Sequence, residues 1–376
     1  MDFLILSFKT NTMQLKELTS FLESFAPLAF QEDYDNSGLL FGDPEKEITA
    51  ALICLDLTPA VIDEAVRKGC NLIISHHPFI FRGLKKIQTG RTESDLLVRI
   101  IRQDIAVYAV HTNLDNARGG LNDFLCRKLG ITSCRILNEK IGMLSKLVTF
   151  CPLDLAGRIR QALFDAGAGV IGKYDLCSYN VNGQGSFRAS EEANPYVGEK
   201  NTIHFEDETR IEVIFQNHIK TRIVKALLDV HPYEEVAYDI YPVSNTCSVC
   251  GAGMIGELDV SLDSGKFLET VKKKLNIRMI RHSIHPKNKI KRIAVCSGSG
   301  AFLLNDAIMA GADALLTADI KYHDFFNAAG RILLADIGHY ESEQWIKDLL
   351  TEKLIEKFPT FAVLSSGLNT NPVNYL

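Results

Sequence analysis

From Ile48 onward, continuous apolar runs alternate with stretches whose apolar residues recur every three or four positions. "ITAALICLDL", "CNLIISHHP" and "IAVYAVHTNL" read as strands buried on both faces, and "PAVIDEAVRKG", "ESDLLVRIIRQ" and "LNDFLCRKLG" as the amphipathic helices that follow them. Such alternation predicts a parallel sheet with helices on both sides. The rhythm returns near the C-terminus in "RIAVCSGSG", "FLLNDAIMAG", "ADALLTAD", "HDFFNAAG" and "RILLADIGH", before a long helix over "ESEQWIKDLLTEKLIEKF" and a last strand at "FAVLSS". One α/β domain built from both ends of the chain accounts for both halves.

Between them the pattern changes. "KLVTFCP" reads as a strand, "LAGRIRQALFDAG" as a helix, "YDLCSYNV" and "RIEVIFQ" as strands, "IKTRIVKALLDV" as a helix and "EVAYDIYPV" as a strand. The order βαββαβ is ferredoxin-like, and its ends lie close enough together for insertion into a larger domain. The expected organisation is a first part of the α/β domain over 13–143, an inserted domain over 144–243 and the second part over 244–376.

Composition narrows the function classes. The 376 residues are 46% hydrophobic and 23% charged, enough to bury a substantial core, and the net charge of −5 supplies no basic surface for nucleic acid or an anionic membrane. The start, "MDFLILSFKTNTMQ", has too short an apolar run to span a bilayer and lacks the basic beginning of a signal peptide. Nine cysteines scattered through apolar segments suit a reducing compartment, so the expectation is a cytoplasmic protein without disulfides.

The chemistry gathers where strands end. His76 and His77 follow one strand, His111, Asp115 and Asn116 the next, and His339 with Glu343 a third, the position where open α/β sheets bind ligands. A helix beginning near His339 puts His339 and Glu343 on one face, a turn apart. Even three of these histidines with the two carboxylates exceed the needs of one catalytic zinc, and adjacent histidines serve two ions roughly 3.5–4 Å apart more easily than one. The reading is two divalent ions, zinc, manganese or iron, with open positions for water. Ordinary surface histidine is the bland alternative for each residue alone, and the pair with two further clusters weighs against it.

At these residues the chain resembles the Nif3-like dinuclear-metal family, whose bacterial members are often labelled GTP cyclohydrolase 1 type 2 homologues. The resemblance runs through "YDNSGLLFGD", "SHHPFIFRGLKKI", "VHTNLDNARGGLND", "GSGSGAFL", "TADIKYHD" and "DIGHYESE", in the family's order and over nearly the whole chain. It implies a three-layer α/β domain and, by position, metal ligation by His76, His77, Asp115, His339 and Glu343. The insert resembles CutA and PII-like proteins, most clearly at "HPYEEVAYDIYPV". The resemblance further implies a toroidal homohexamer, metal sites facing an internal cavity, and a small, nucleotide-like substrate for a metal-dependent hydrolase. A non-enzymatic ring that holds metal is the alternative. Residues before Met13 precede the family's usual start and are expected to pack loosely.

His111 and His323 are candidate catalytic residues, as general acid or base or as outer partners of the metals. "CSGSGAF" offers backbone N–H groups from Ser297 to Gly300 either to an anion or to a tight turn. Asp35 and Asn36 either line the site or shape a turn. His231 with Glu234 and Glu235 mimics a metal site, although solvated residues after a helix are the simpler reading. "GAGMIG" matches G-x-G-x-x-G but precedes a strand, which excludes a dinucleotide site, and the lone "CSVC" supports neither a zinc ribbon nor a thioredoxin arrangement.

Overall fold

The computed structural model describes residues 12–284 and 289–376. The expectation of a loose N-terminal extension falls on residues 1–11, outside the described residues. The chain divides into two compact units, one formed by the chain up to Asn138 together with Val249–Leu376, the other by Glu139–Ser248.

In the first unit the expected strands form, but they build two sheets. Strands Ala362–Ser365, Ala50–Cys54, Leu72–Ser75 and Ala106–Ala109 lie parallel in that order, with Gly38–Phe41 added antiparallel at the edge. The other sheet runs Arg281–His282, Leu333–Asp336, Ala314–Ala318, Lys289–Ser299, Cys247–Asp263 and Ile131–Lys140, with its three middle pairings partly parallel and partly antiparallel. The expected parallel pairing holds for four strands of the early sheet and for Leu333–Asp336, Ala314–Ala318 and Lys289–Ser299 of the late one, and antiparallel strands added toward the edges make both sheets mixed. The two halves exchange strands: the C-terminal strand joins the early sheet and Ile131–Lys140 joins the late one, a long-range pairing on which local periodicity is silent.

Local chemistry fixes the connecting helices. Thr58 caps helix Pro59–Arg67, its hydroxyl accepting from the Val61 N–H at 3.3 Å, and Pro59 starts the first turn with φ already helical. Helix Leu121–Leu129 stops at Gly130, whose φ of +76° is a left-handed cap. Leu52, Ile53, Ile73, Ile74 and Val107 are fully buried in the early sheet, as strands covered on both faces require. "GAGMIG" lies inside strand Cys247–Asp263, so no helix follows the glycines.

The second unit is a four-stranded antiparallel sheet in the order Tyr238–Pro242, Leu144–Pro152, Ile203–Gln216, Tyr179–Arg188, with helices Ala156–Asp165 and Lys220–Val230. Leu147, Cys151, Ile211, Val213 and Phe215 alternate onto one face and bury against Ile159, Leu163, Ile223 and Leu227 of the helices. The opposite face of the sheet carries Glu206, Glu208, Arg210 and Glu212, half-exposed or exposed, while both helices of the unit pack on the first. All nine cysteines are thiols. Among the described residues no helix is long and apolar enough to cross a membrane.

Candidate metal centre

The carboxyl ends of strands from both sheets of the first unit converge. His76 and His77 directly follow Leu72–Ser75, His111 follows Ala106–Ala109, and Asp115 ends the one-turn helix Thr112–Asp115. His339 opens the short helix His339–Glu343, placing His339 Nε2 2.9 Å from Glu343 Oε2 across one turn. The structure brings His76, His77, His111, Asp115, His339 and Glu343 together in three overlapping groups of three, each with ligand atoms within 4.8 Å of one another: His76 with His77 and His111, His77 with His339 and Glu343, and His76 with Asp115 and Glu343.

Each histidine is oriented from behind. His76 Nδ1 lies 2.7 Å from the Val110 carbonyl, His77 Nδ1 2.7 Å from Asp56 Oδ1, His111 Nδ1 2.7 Å from Asp35 Oδ1, and His339 Nδ1 2.7 Å from Asp319 Oδ2. A carbonyl or carboxylate only accepts, so Nδ1 carries a proton in each ring and Nε2 is the nitrogen turned inward, the atom that binds a cation once it holds no proton of its own. His77 Nε2 and His339 Nε2 then stand 3.4 Å apart, each 2.9 Å from Glu343 Oε2. His76 Nε2 is 3.7 Å from Asp115 Oδ2 and 3.8 Å from Glu343 Oε1. His76 Nε2 and Glu343 Oε2 are buried without a hydrogen-bond partner, which is costly unless a cation lies between them.

The field points the same way. Burial alone depresses an imidazole, yet the Asp56 and Glu343 carboxylates raise His77 to about 10, and Glu343 and Asp319 raise His339 to about 9. Burial pushes the Asp115 carboxyl up, whereas His339, His76 and His77 outweigh burial at Glu343 and draw it well below the usual range. A pocket that attracts positive charge this strongly, lined by imidazole nitrogens and carboxylate oxygens, fits zinc, manganese or iron by its donor chemistry.

The surrounding backbone is shaped to this arrangement. Gly298, at φ +58°, lies so close to Glu343 that a Cβ there would stand 2.1 Å from Oε1. The N–H groups of Ser297, Gly298 and Gly300 are taken by Asn122 Oδ1, Ser342 Oγ and Thr317 Oγ1 at 2.7, 3.0 and 2.8 Å. These three amides therefore face side chains of the protein, and the anion reading of this turn is corrected to the structural one. Asn122 also donates to the Asp115 carbonyl at 3.0 Å, so one side chain fixes two walls of the site. Asp35 does more than shape a turn, since its carboxylate also accepts from the Thr112 N–H at 3.0 Å.

His323 stands apart. It is exposed on helix Tyr322–Ala328 with its ring against Tyr322 and Phe326, so the catalytic role expected of it has no geometric support. His231 is no ligand either: Nε2 lies 2.9 Å from the Phe150 carbonyl and Nδ1 accepts from the Tyr233 N–H at 3.2 Å. Asp56 and Asp319 escape the sequence reading. The available signal is their place just after the strands "ALIC" and "ALLTA", the edge that supplies the histidines.

A cleft of about 400 Å³ opens from His77 and His339, walled by Met279, Arg281, Tyr340, Asn371 and Tyr375. The C-terminal segment forms one side of it. Thr370 donates to Asp56 Oδ2 at 2.6 Å, and Asn371 Nδ2 to Glu341 Oε1 at 3.1 Å.

The family model for Duf34/NIF3 (NGG1p interacting factor 3) matches residues 13–372. A GTP cyclohydrolase 1 type 2 homolog of Bacillus subtilis is 36% identical over 96% of this chain and 98% of its own. Among solved structures, a Bacillus cereus protein related to NIF3 is 35% identical with a TM-score of 0.84, covering 97% of this chain and 99% of that one. A Staphylococcus aureus protein is 32% identical with a TM-score of 0.76 over the same shares. With the family model matched over residues 13–372 and its fold shared with these relatives, the chain belongs to the Duf34/NIF3 family.

Proposed function

We propose that the converging side chains hold two divalent metal ions and that the protein is a metal-dependent hydrolase of a small, nucleotide-like substrate. The observation that carries this reading is the set of Nε2 atoms turned toward Asp115 and Glu343, each held in place by an acceptor on Nδ1. His76, His77, Asp115, His339 and Glu343 are the proposed ligands. Glu343 is the shared one, because one oxygen faces His77 and His339 while the other faces His76. When bound, the ions supply Lewis acidity that activates water and polarises an electrophilic carbon or phosphorus.

The protein's own groups do the rest. Asp56 and Asp319 lock the rings of His77 and His339, so that little reorganisation accompanies binding. His111, held by Asp35, presents Nε2 beside His76 and His77 and is the proposed proton carrier. Arg281 in the cleft is held by Asp336 and the Ile320 carbonyl, and the C-terminal segment restricts water on that side.

The names of the curated relatives support a nucleotide-like substrate without fixing it, since family does not determine substrate. Asp115→Ala should lose bound metal and turnover of nucleotides or phosphoesters together. Full turnover by the metal-free variant would contradict the mechanism. A second reading, a metal-holding regulatory assembly without catalysis, draws support from the compact second unit. Deleting residues 144–243 separates the two, because a hydrolase keeps activity on small substrates and a sensor loses its response. The toroidal homohexamer implied by the resemblance belongs to both readings; light scattering should give the mass of six chains, and a monomer mass would rule it out.

A further inference from the structure

The "HPYEE" segment takes no part in the metal centre, yet it is built with care. His231 is nearly buried, and its two ring nitrogens are occupied by the Phe150 carbonyl and the Tyr233 N–H. That latch fixes Tyr233, whose hydroxyl donates to Glu208 Oε1 at 2.9 Å on the face of the second unit's sheet opposite its helices. Glu234 accepts from the Asn194 N–H at 2.7 Å and so fastens the loop after strand Tyr179–Arg188 over the same face.

These pieces enclose a cleft of about 570 Å³. Four aromatic side chains line it, Phe150, Phe187, Tyr196 and Tyr233, with the rings of Tyr196 and Tyr233 6.1 Å apart and tilted by 48°. Three carboxylates, Glu208, Glu234 and Glu235, face one cation, Arg188, so the lining is net negative. Glu208 has its place prepared: Gly185, on the edge strand two residues along from Gly183, its direct partner, leaves the space the carboxylate fills, and a Cβ there would stand 2.2 Å from Oε2. With Oε1 occupied by Tyr233, Oε2 is the oxygen left to interact across the cleft.

Aromatic faces carry partial negative charge, and together with carboxylates they attract a cation that needs no hydrogen bonds. A bare metal ion requires several oxygen ligands at once, which an aromatic wall does not provide. A neutral apolar ligand gains nothing from the carboxylates, and an anion is repelled by them. We infer that the cleft formed by Phe150, Phe187, Tyr196, Tyr233 and Glu208 is a binding site for a small alkylated ammonium ion.

The test is calorimetric titration of the full chain with choline and with 3,3-dimethylbutanol, its neutral isostere. Choline should bind at one site per chain, and the alcohol at least about tenfold more weakly, the ratio expected of cation–π and carboxylate attraction. Tyr196→Ala and Glu208→Gln should each weaken choline by a similar factor, and Glu208→Gln should leave the alcohol unchanged. Both variants lie on an exposed face, and circular dichroism checks that they fold. Equal affinity for the two probes would overturn the cationic class. Absence of choline binding to folded protein, as when another macromolecule or a second copy covers the face, would overturn the site itself.

Discussion

Gly298 occupies a left-handed backbone conformation and gives Glu343 its room, so a single methyl group tests the centre. Gly298→Ala should cost about 1 kcal/mol from the positive φ alone. It should also push Glu343 off His77 and His339 and weaken metal binding by about 10–100-fold, which a chelator competition titration measures. Unchanged affinity would mean that Glu343 is not a ligand. At this scale the histidines are legible in the sequence because imidazole at strand ends is uncommon and doubled in "SHHP". Asp56 and Asp319 are not, because a carboxylate after a strand is ordinary and its partner is an Nδ1 atom 21 or 20 residues away. Asp319 also sits at φ +52°, a conformation that no local pattern announces.

Among the elements, the C-terminal segment is the one whose role depends most on remote contacts. Glu64 on helix Pro59–Arg67 pairs with Lys68 at 2.8 Å, accepts from Ser366 Oγ at 2.5 Å and accepts from the Gly367 N–H at 3.0 Å. Burial opposes this charge, but those hydrogen bonds and Lys68 bring the carboxyl down to about 2 from an ordinary 4.5. The depressed value means the ionised carboxylate stabilises the fold fully above pH 4.5 and less and less as the pH falls towards 2. Glu64→Gln should lose about 2 kcal/mol at pH 7, and the gap from the parent protein should close between pH 4.5 and 2. Thermal unfolding by circular dichroism checks both, and a gap independent of pH would deny the role of the charge. Most helices and strands could be placed from periodicity alone. The expected long helix after "DIGH" is instead two, His339–Glu343 and Ile346–Lys357, a break that keeps His339 and Glu343 in the site while the second helix packs Leu349, Leu350 and Leu354 into the core.

For the molecule as a whole, the proposed metal centre is where the two ends of the chain meet: His76, His77 and Asp115 come from the first third, His339 and Glu343 from the last tenth. Binding at that junction ties together strands whose pairing no local signal specifies, so metal should stabilise the first unit by mass action. Strand exchange between the halves was invisible to the sequence for the same reason that the centre was visible: ligand chemistry is local, whereas sheet order is decided by contacts hundreds of residues apart. The central claim is a site for two ions. Elemental mass spectrometry of untagged protein purified without chelators, alongside His77→Ala, tests it most directly. The account predicts about two divalent ions per chain and a clear fall in the variant. Little metal in the parent protein, unchanged in His77→Ala and not restored by added zinc, manganese or iron, would contradict it.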